Sequence, residues 1–359
     1  MKRFIGKVGM LLICILLILS TSAFAQGAKT GLAGLAVKKD GSPYQLGMIA
    51  NEMRSGWMTA CIGYSRSLWE RMGGRFTFFV SEYDMTVELS QMTDLMQLKP
   101  DAIFVHPSDS HAIAPAIGDA RKAGYPIIAI DVGVIGAPVD GFVHINQEDL
   151  GKVDAQYVEK AFSASNPAVV LELTGGLEQD IAVQRRDGFD NYVKNLPYVK
   201  IVQEIDTKWS SDNAMKSVMD ALERDPSINA IYCHSDFFVQ GILQGLKLKN
   251  KLVPAGQKGH IVICSVDADP TGLKGIRDGF IDAIAEHSPV LHAAVAINMA
   301  IAKVHGLEIP AEVVLNPPLV TKSNVDSQER WGNLPSGQFD KWPVLNQGFF
   351  KIPASLLKK

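Results

Sequence analysis

The chain has 359 residues and a formal charge of −3, from 35 Lys and Arg against 38 Asp and Glu. That length suggests about two domains. The mildly acidic balance excludes a partner held on a clustered basic surface, nucleic acid above all. Lys2, Arg3 and Lys7 precede the apolar run MLLICILLILS, and AFA at 23–25 offers small residues for cleavage. The pattern predicts an export signal over residues 1–25, with the mature chain starting near Gln26. The run is too short to span a bilayer comfortably and no comparable one follows, so the mature chain is expected not to insert into a membrane.

Cleavage removes three positive charges, taking the formal charge to −6. Cys14 lies inside the apolar run and not just after a cleavage site, which argues against a lipoprotein. Cys61, Cys233 and Cys264 remain. An odd number leaves at least one thiol outside any intrachain pair. The last two sit in strand-like apolar runs and read as buried thiols, and their spacing is not that of a metal site. No metal and no cofactor is expected.

From residue 45 the chain alternates short apolar runs with helical patterns. QLGMIA, RFTFFV, AIFVH, IIAID and FVHIN read as strands, separated by stretches with apolar residues at three- and four-residue spacing. A second cycle after Asn146 repeats this with AVVLELT, VKIVQEI, AIYCHSD, IVICSVD and IDAIAEH. Its helices are predicted near 178–195, 211–224, 236–248 and 270–278. Continuous apolar strands between helices imply parallel sheets covered on both faces. The fold class is therefore α/β, two doubly wound Rossmann-like lobes.

VLHAAVAINMAIAKVHG and EVVLNPPLVTKSNV follow the second cycle and read as pieces returning to complete both lobes. The chain then crosses three times, near 146, 287 and 315, which makes a hinge. The expected division is 45–145 plus 288–312 for the first lobe and 146–286 plus 313–327 for the second. An aromatic extension over 328–359 is expected to wrap a domain surface.

In open α/β sheets, ligands bind beyond the carboxyl ends of the strands. The polar residues collected there are Asn51, Arg54 and Trp57 in the first loop, His106 after the third strand and Asp131 after the fourth. In the second unit they are Arg185, Trp209, Ser235, Asp236, Asp267 and Glu286. Carboxylates accept from sugar hydroxyls, guanidiniums donate to oxygens, and indoles cover apolar C–H faces. The set suits a polyhydroxylated ring. Each residue also has a plainer role open to it. Asp109 reads as a helix N-cap, Asp236 as a cap or a ligand group, and His106 as a structural hydrogen bonder or a contact. Trp57 could be core, although its turn position favours a cleft, and Glu286 could pair across the hinge.

VHPSDSHAIAPAIGDARKAGYPIIAID, RRDGF, IYCHSD and VICSVDADPTGLKGI resemble the periplasmic sugar-binding proteins of the ribose-binding type. These serve ABC importers and share a core with the lactose-repressor family. The resemblance covers about 45–325 and implies a type I periplasmic binding protein with sugar held between two lobes joined by three crossings. By position, it implies ligand contacts at Arg54, Trp57, Asp131, Arg185, Trp209, Ser235, Asp267 and Glu286. It also implies the membrane subunits of an importer as partners. Gly56-Trp57 stands where the ribose type has two adjacent aromatics, Val132 where it has Arg, and Ser235 where it often has Asn, so the pocket departs from the ribose pattern.

The expected function is capture of a sugar or sugar-like ligand and its delivery to an ABC importer. One alternative is a ligand-sensing partner of a chemoreceptor or histidine kinase. Another is an exported sugar-active enzyme, against which no G-x-S-x-G elbow, P-loop or His-rich metal spacing is present. The export signal, in place of a DNA-binding headpiece, excludes a repressor.

Overall fold

The computed structural model describes residues 32–343 and 350–357; the leader expected over 1–25 lies outside them. In the first unit β1 (Gln45–Ala50), α1 (Gly56–Arg71), β2 (Arg75–Val80), α2 (Met85–Gln97), β3 (Ala102–His106), α3 (Ala114–Lys122), β4 (Ile127–Ile130) and β5 (Gly141–Ile145) follow one another. β3 and β4 are buried along their whole length, as strands covered on both faces must be.

The second unit runs through α4 (Gln147–Ala161), β6 (Ala168–Thr174), α5 (Asp180–Val193), β7 (Val199–Asp206) and α6 (Ser211–Arg224). It continues with β8 (Ala230–Cys233), α7 (Val239–Leu248), β9 (Val262–Val266), α8 (Pro270–Asp278) and β10 (Ala283–Ala285). The returning segment supplies α9 (Pro289–Val304), β11 (Glu312–Leu315) and β12 (Leu319–Thr321).

Two six-stranded sheets result, ordered β11-β5-β4-β3-β1-β2 and β12-β10-β9-β8-β6-β7. All pairings are parallel except β10 with β12. In each sheet the order reverses beside the first strand of the unit, and a crevice opens at that switch point.

The three crossings are short. α4 packs on α5, β9 and β10, so the chain has entered the second lobe directly after β5. α9 packs back on α1, β3, β4 and β5. It is apolar nearly all round because it is enclosed by the first lobe, and Ser288 with Pro289 starts it. The last crossing lies between β11 and β12. One boundary differs from expectation: Glu312–Leu315 pairs in register with Phe142–Ile145, which keeps the first lobe intact to Leu315 and not 312.

The extension touches both lobes. Trp331 Nε1 donates to the Asp267 carbonyl at 2.6 Å in the second. Trp342 is buried, its ring 5.6 Å from that of Tyr64 on α1, and Asn298 Nδ2 on α9 donates to Phe350 O at 2.9 Å. Trp331 and Trp342 are thus buried residues of a strap that contacts both lobes. Among the described residues no helix is long and apolar enough to cross a membrane. Cys61, Cys233 and Cys264 are all buried free thiols.

Candidate functional site

Between the lobes, at the carboxyl ends of both sheets, lies a cavity of about 60 Å³. It suits a small polar guest better than a drug-sized one, for which pockets run to about 300–1,000 Å³. The lobes touch at its edge: Ser110 Oγ donates to Asp180 Oδ1 at 3.1 Å, and Gln179 Nε2 to Pro107 O at 3.1 Å. This is a closed arrangement. A larger cavity of about 460 Å³ lies at the hinge, between Ile145, Glu286 and Leu315 and the strap residues Arg330 and Trp331.

The loop after β1 is organised by Glu52, whose carboxylate accepts from Ser55 N at 2.9 Å and Ser55 Oγ at 2.5 Å. Ser55 in turn caps α1 by accepting from Met58 N at 3.1 Å. Trp57 therefore sits in the first turn of a helix and not in an open turn. Its ring stacks on His287, and its Nε1 donates to the His287 carbonyl at 3.0 Å. Arg54 is half exposed at the rim, paired with Glu82 at 3.1 Å and 5.5 Å above the Tyr83 ring.

Asp131 is the charged centre of the first lobe's wall. Its Oδ1 accepts from Gln147 Nε2 at 2.7 Å and His287 Nε2 at 2.6 Å, while Oδ2 lies 3.4 Å from His106 Nε2. Gln147 Oε1 accepts from Arg185 Nε at 2.7 Å, which carries the network into the second lobe. There Arg185 donates to His234 O at 2.6 Å and lies 5.9 Å from the Trp209 ring. Ser235 Oγ donates to Asp267 Oδ2 at 2.6 Å, and Asp267 Oδ1 faces His287 Nδ1 at 3.1 Å.

Two glycines make these placements possible. A Cβ on Gly151 would fall 2.1 Å from the Arg185 carbonyl, so α4 and α5 cross backbone to backbone and set Arg185 at the cleft. A Cβ on Gly175 would fall 2.2 Å from the Trp209 ring, which lies flat on that glycine. Asp131, Asp267, Trp209 and Tyr83 all adopt positive φ, of 62°, 111°, 50° and 64°. Such strained non-glycine backbone collects where a site demands it.

Burial alone would raise the Asp131 pKa, yet His287, His106 and His292 around it hold it well below the usual carboxylate range. Burial likewise works against a charged His287, but Asp131 and Asp267 raise its pKa above the ordinary histidine value. His292, desolvated and beside His287, falls to about 3. The centre is therefore a histidine cation between two carboxylates, one from each lobe.

Of the residues expected from the sequence, Asn51, Arg54, Trp57, His106, Asp131, Arg185, Trp209, Ser235 and Asp267 line the cavity. Two do not. Asp236 turns inward, accepting from Ser265 Oγ at 2.5 Å and Asp269 N at 2.8 Å. Its place at the start of the helical turn after β8 makes it a structural acceptor. Glu286 faces the strap, accepting from Arg330 and from Trp331 N at 3.3 Å. The next residue, His287, enters the cleft instead. The other residues that sequence reasoning missed include Glu52, Tyr83, Gln147, Gln179 and Phe237. His287 was legible as the polar residue closing IDAIAEH; Gln147 carried no signal of its own.

Residues 46–308 match the family model described as periplasmic binding protein domain. The xylitol-binding protein of Mycolicibacterium smegmatis is 23% identical over 244 residues, covering 68% of this chain and 67% of that one. The ribose import binding protein RbsB of Bacillus subtilis is 24% identical over 240 residues, covering 67% and 75%. Among solved structures, a galactofuranose binding protein superposes with a TM-score of 0.73 at 20% identity, covering 79% of this chain and 96% of that one. The family model spans most of the chain, and the folds agree. This chain belongs to the periplasmic binding protein domain family.

Proposed function

We propose that this protein is an exported receptor of the periplasm that captures a small sugar or polyol between its lobes and delivers it to the membrane subunits of an ABC importer. The observation that carries the reading is a set of three buried polar atoms without hydrogen-bond partners, Asn51 Oδ1, His106 Nδ1 and Trp209 Nε1, all on cavity-lining residues from both lobes. Unsatisfied buried polar atoms cost about 1–3 kcal/mol each. A guest with hydroxyls at several carbons satisfies donors and acceptors together. The indoles offer apolar surface for its C–H faces. The relatives named for xylitol, ribose and galactofuranose agree with that chemistry.

The arrangement supports a binding site and does not form a hydrolytic triad. A hydrolytic triad needs the serine proton to go to an imidazole. Here Ser235 Oγ donates to the Asp267 carboxylate, and the carboxylate stands between it and His287. Contacts from both lobes to the guest add to the direct lobe–lobe contacts of Ser110 with Asp180 and Gln179 with Pro107 in favouring the closed form.

The test is a thermal-shift screen of the mature chain with pentoses, furanose and pyranose hexoses, polyols and inositols. At ligand concentrations a hundred times Kd, stabilisation of about 2.7 kcal/mol is expected. No stabilisation by any of them, or turnover of one, would overturn the reading.

A further inference from the structure

Three imidazoles converge on one buried carboxylate. His106 Nε2 lies 3.4 Å from Asp131 Oδ2, and His287 Nε2 and His292 Nε2 lie 2.6 and 3.6 Å from Oδ1. All four residues are buried. Sugar capture accounts for Asp131 and His287 but gives no role to His292, which sits behind the cavity wall on α9.

The hydrogen bonds of His292 identify its free atom. Its Nδ1 lies 2.7 Å from the Ser288 carbonyl. A carbonyl only accepts, so Nδ1 carries the ring proton and Nε2 presents a lone pair. That lone pair has no hydrogen-bond partner and faces an Asp131 oxygen, itself an acceptor. Two acceptors facing each other out of contact with water is an unfavourable arrangement that a cation between them reverses.

His287 shows the same orientation. Its Nδ1 lies 3.1 Å from Asp267 Oδ1, and its Nε2 points at Asp131. A ring nitrogen held by an oxygen acceptor, with the other directed at an ion, is the usual support of metal-ligating histidines. The Arg185 guanidinium is 3.2 Å from the same Nδ1. Ser288 caps α9, so His292 in its first turn is carried on rigid backbone.

We propose that Asp131, His287 and His292 form a binding site for a divalent transition-metal ion of the zinc class. Their donor atoms all lie within 4.8 Å of one another. Two imidazole nitrogens and a carboxylate oxygen suit zinc and its neighbours, while all-oxygen sites suit calcium and magnesium. The ion takes the place of the proton shared by His287 and Asp131.

The test is independent of any sugar. Tag-free mature protein, stripped with a chelator and then freed of it, is titrated with Zn²⁺ by calorimetry and with Co²⁺ by visible absorption. One equivalent of each is expected to bind, with Co²⁺ giving the intense bands of a low-coordinate N/O site. His292→Gln should weaken Zn²⁺ binding at least a hundredfold, and Asp267→Asn ten- to a hundredfold through loss of the orienting carboxylate charge. His260→Gln, whose partner Asp282 lies elsewhere, should leave it unchanged. Melting in chelator establishes that each variant folds; if His292→Gln does not, the wild-type Co²⁺ spectrum and Asp267→Asn decide. Absence of Zn²⁺ binding, absence of the Co²⁺ bands, or equal affinity in wild type and variants would overturn the site without touching the sugar-binding reading.

Discussion

The indole of Trp57 and the imidazole of His287 stack with ring centroids 4.7 Å apart and planes 18° from parallel. Trp57 starts the first helix of one lobe; His287 lies on the second crossing between lobes. The aromatic wall of the cleft is therefore built against the hinge. One face of the indole is covered by a protein ring.

Trp57→Ala should weaken ligand binding by about 1–2 kcal/mol, roughly five- to thirtyfold, through lost stacking and area. Trp57→Phe should recover part of the loss. Calorimetry with a ligand found by thermal shift provides the measurement, and an unchanged affinity would remove Trp57 from the wall.

His287→Ala should destabilise the metal-free fold by about 3 kcal/mol, because it leaves the buried Asp131 and Asp267 carboxylates without their shared partner. His287→Gln keeps one donor and should lose less. Urea unfolding at neutral pH gives both numbers; equal stability of wild type and alanine variant would show the network to be energetically silent.

Gly175→Ala should act on both affinity and fold. The added methyl meets the Trp209 ring, which lines the cavity and is also packed in the buried core of the second lobe. The expected result is a loss of affinity of tenfold or more together with a lowered melting temperature. Gly151→Ala, which drives a methyl into the Arg185 carbonyl, should cost more stability still.

A pH dependence follows from the acids behind the cleft. Burial, with Asp267 nearby, pushes the Asp269 carboxyl up to about 6, and burial beside Asp269 and Asp267 raises Asp236 well above the usual carboxylate range. Both carboxyls hold their protons better folded than unfolded. Their contribution to stability is thus complete below about pH 4 and lost as pH rises through 6 and beyond. Asp236→Asn should flatten that decline and raise the melting temperature at pH 8 more than at pH 4. A larger gain at pH 4 would contradict the sign.

Much of this was legible in the chain itself. RFTFFV, AIFVH and AVVLELT are strands over the stretches their apolar runs suggested, and the helices at 211–224 and 270–278 begin and end where expected. Strand periodicity and capping are local, so they survive in a single sequence. The cleft was legible to the same degree, because strand ends mark it. What failed was direction. Glu286 and His287 are adjacent, and only the pairing of β10 with β12 and the presence of Arg330 decide which one faces the guest. Gln147 and Gln179 became visible only when the lobes met, since their partners Asp131 and Pro107 lie in the other lobe. The strap was readable as aromatic but not as bridging, because its contacts on α1 and α9 are far away in the chain.

The most direct measurement is a calorimetric titration of the mature protein with its best ligand from the screen, beside Asp131→Asn and Asp267→Asn. Each acid comes from a different lobe and lines the same cavity. The account predicts that either substitution weakens binding at least tenfold, about 1.4 kcal/mol or more. Full affinity in either variant would mean that the guest does not sit between the lobes.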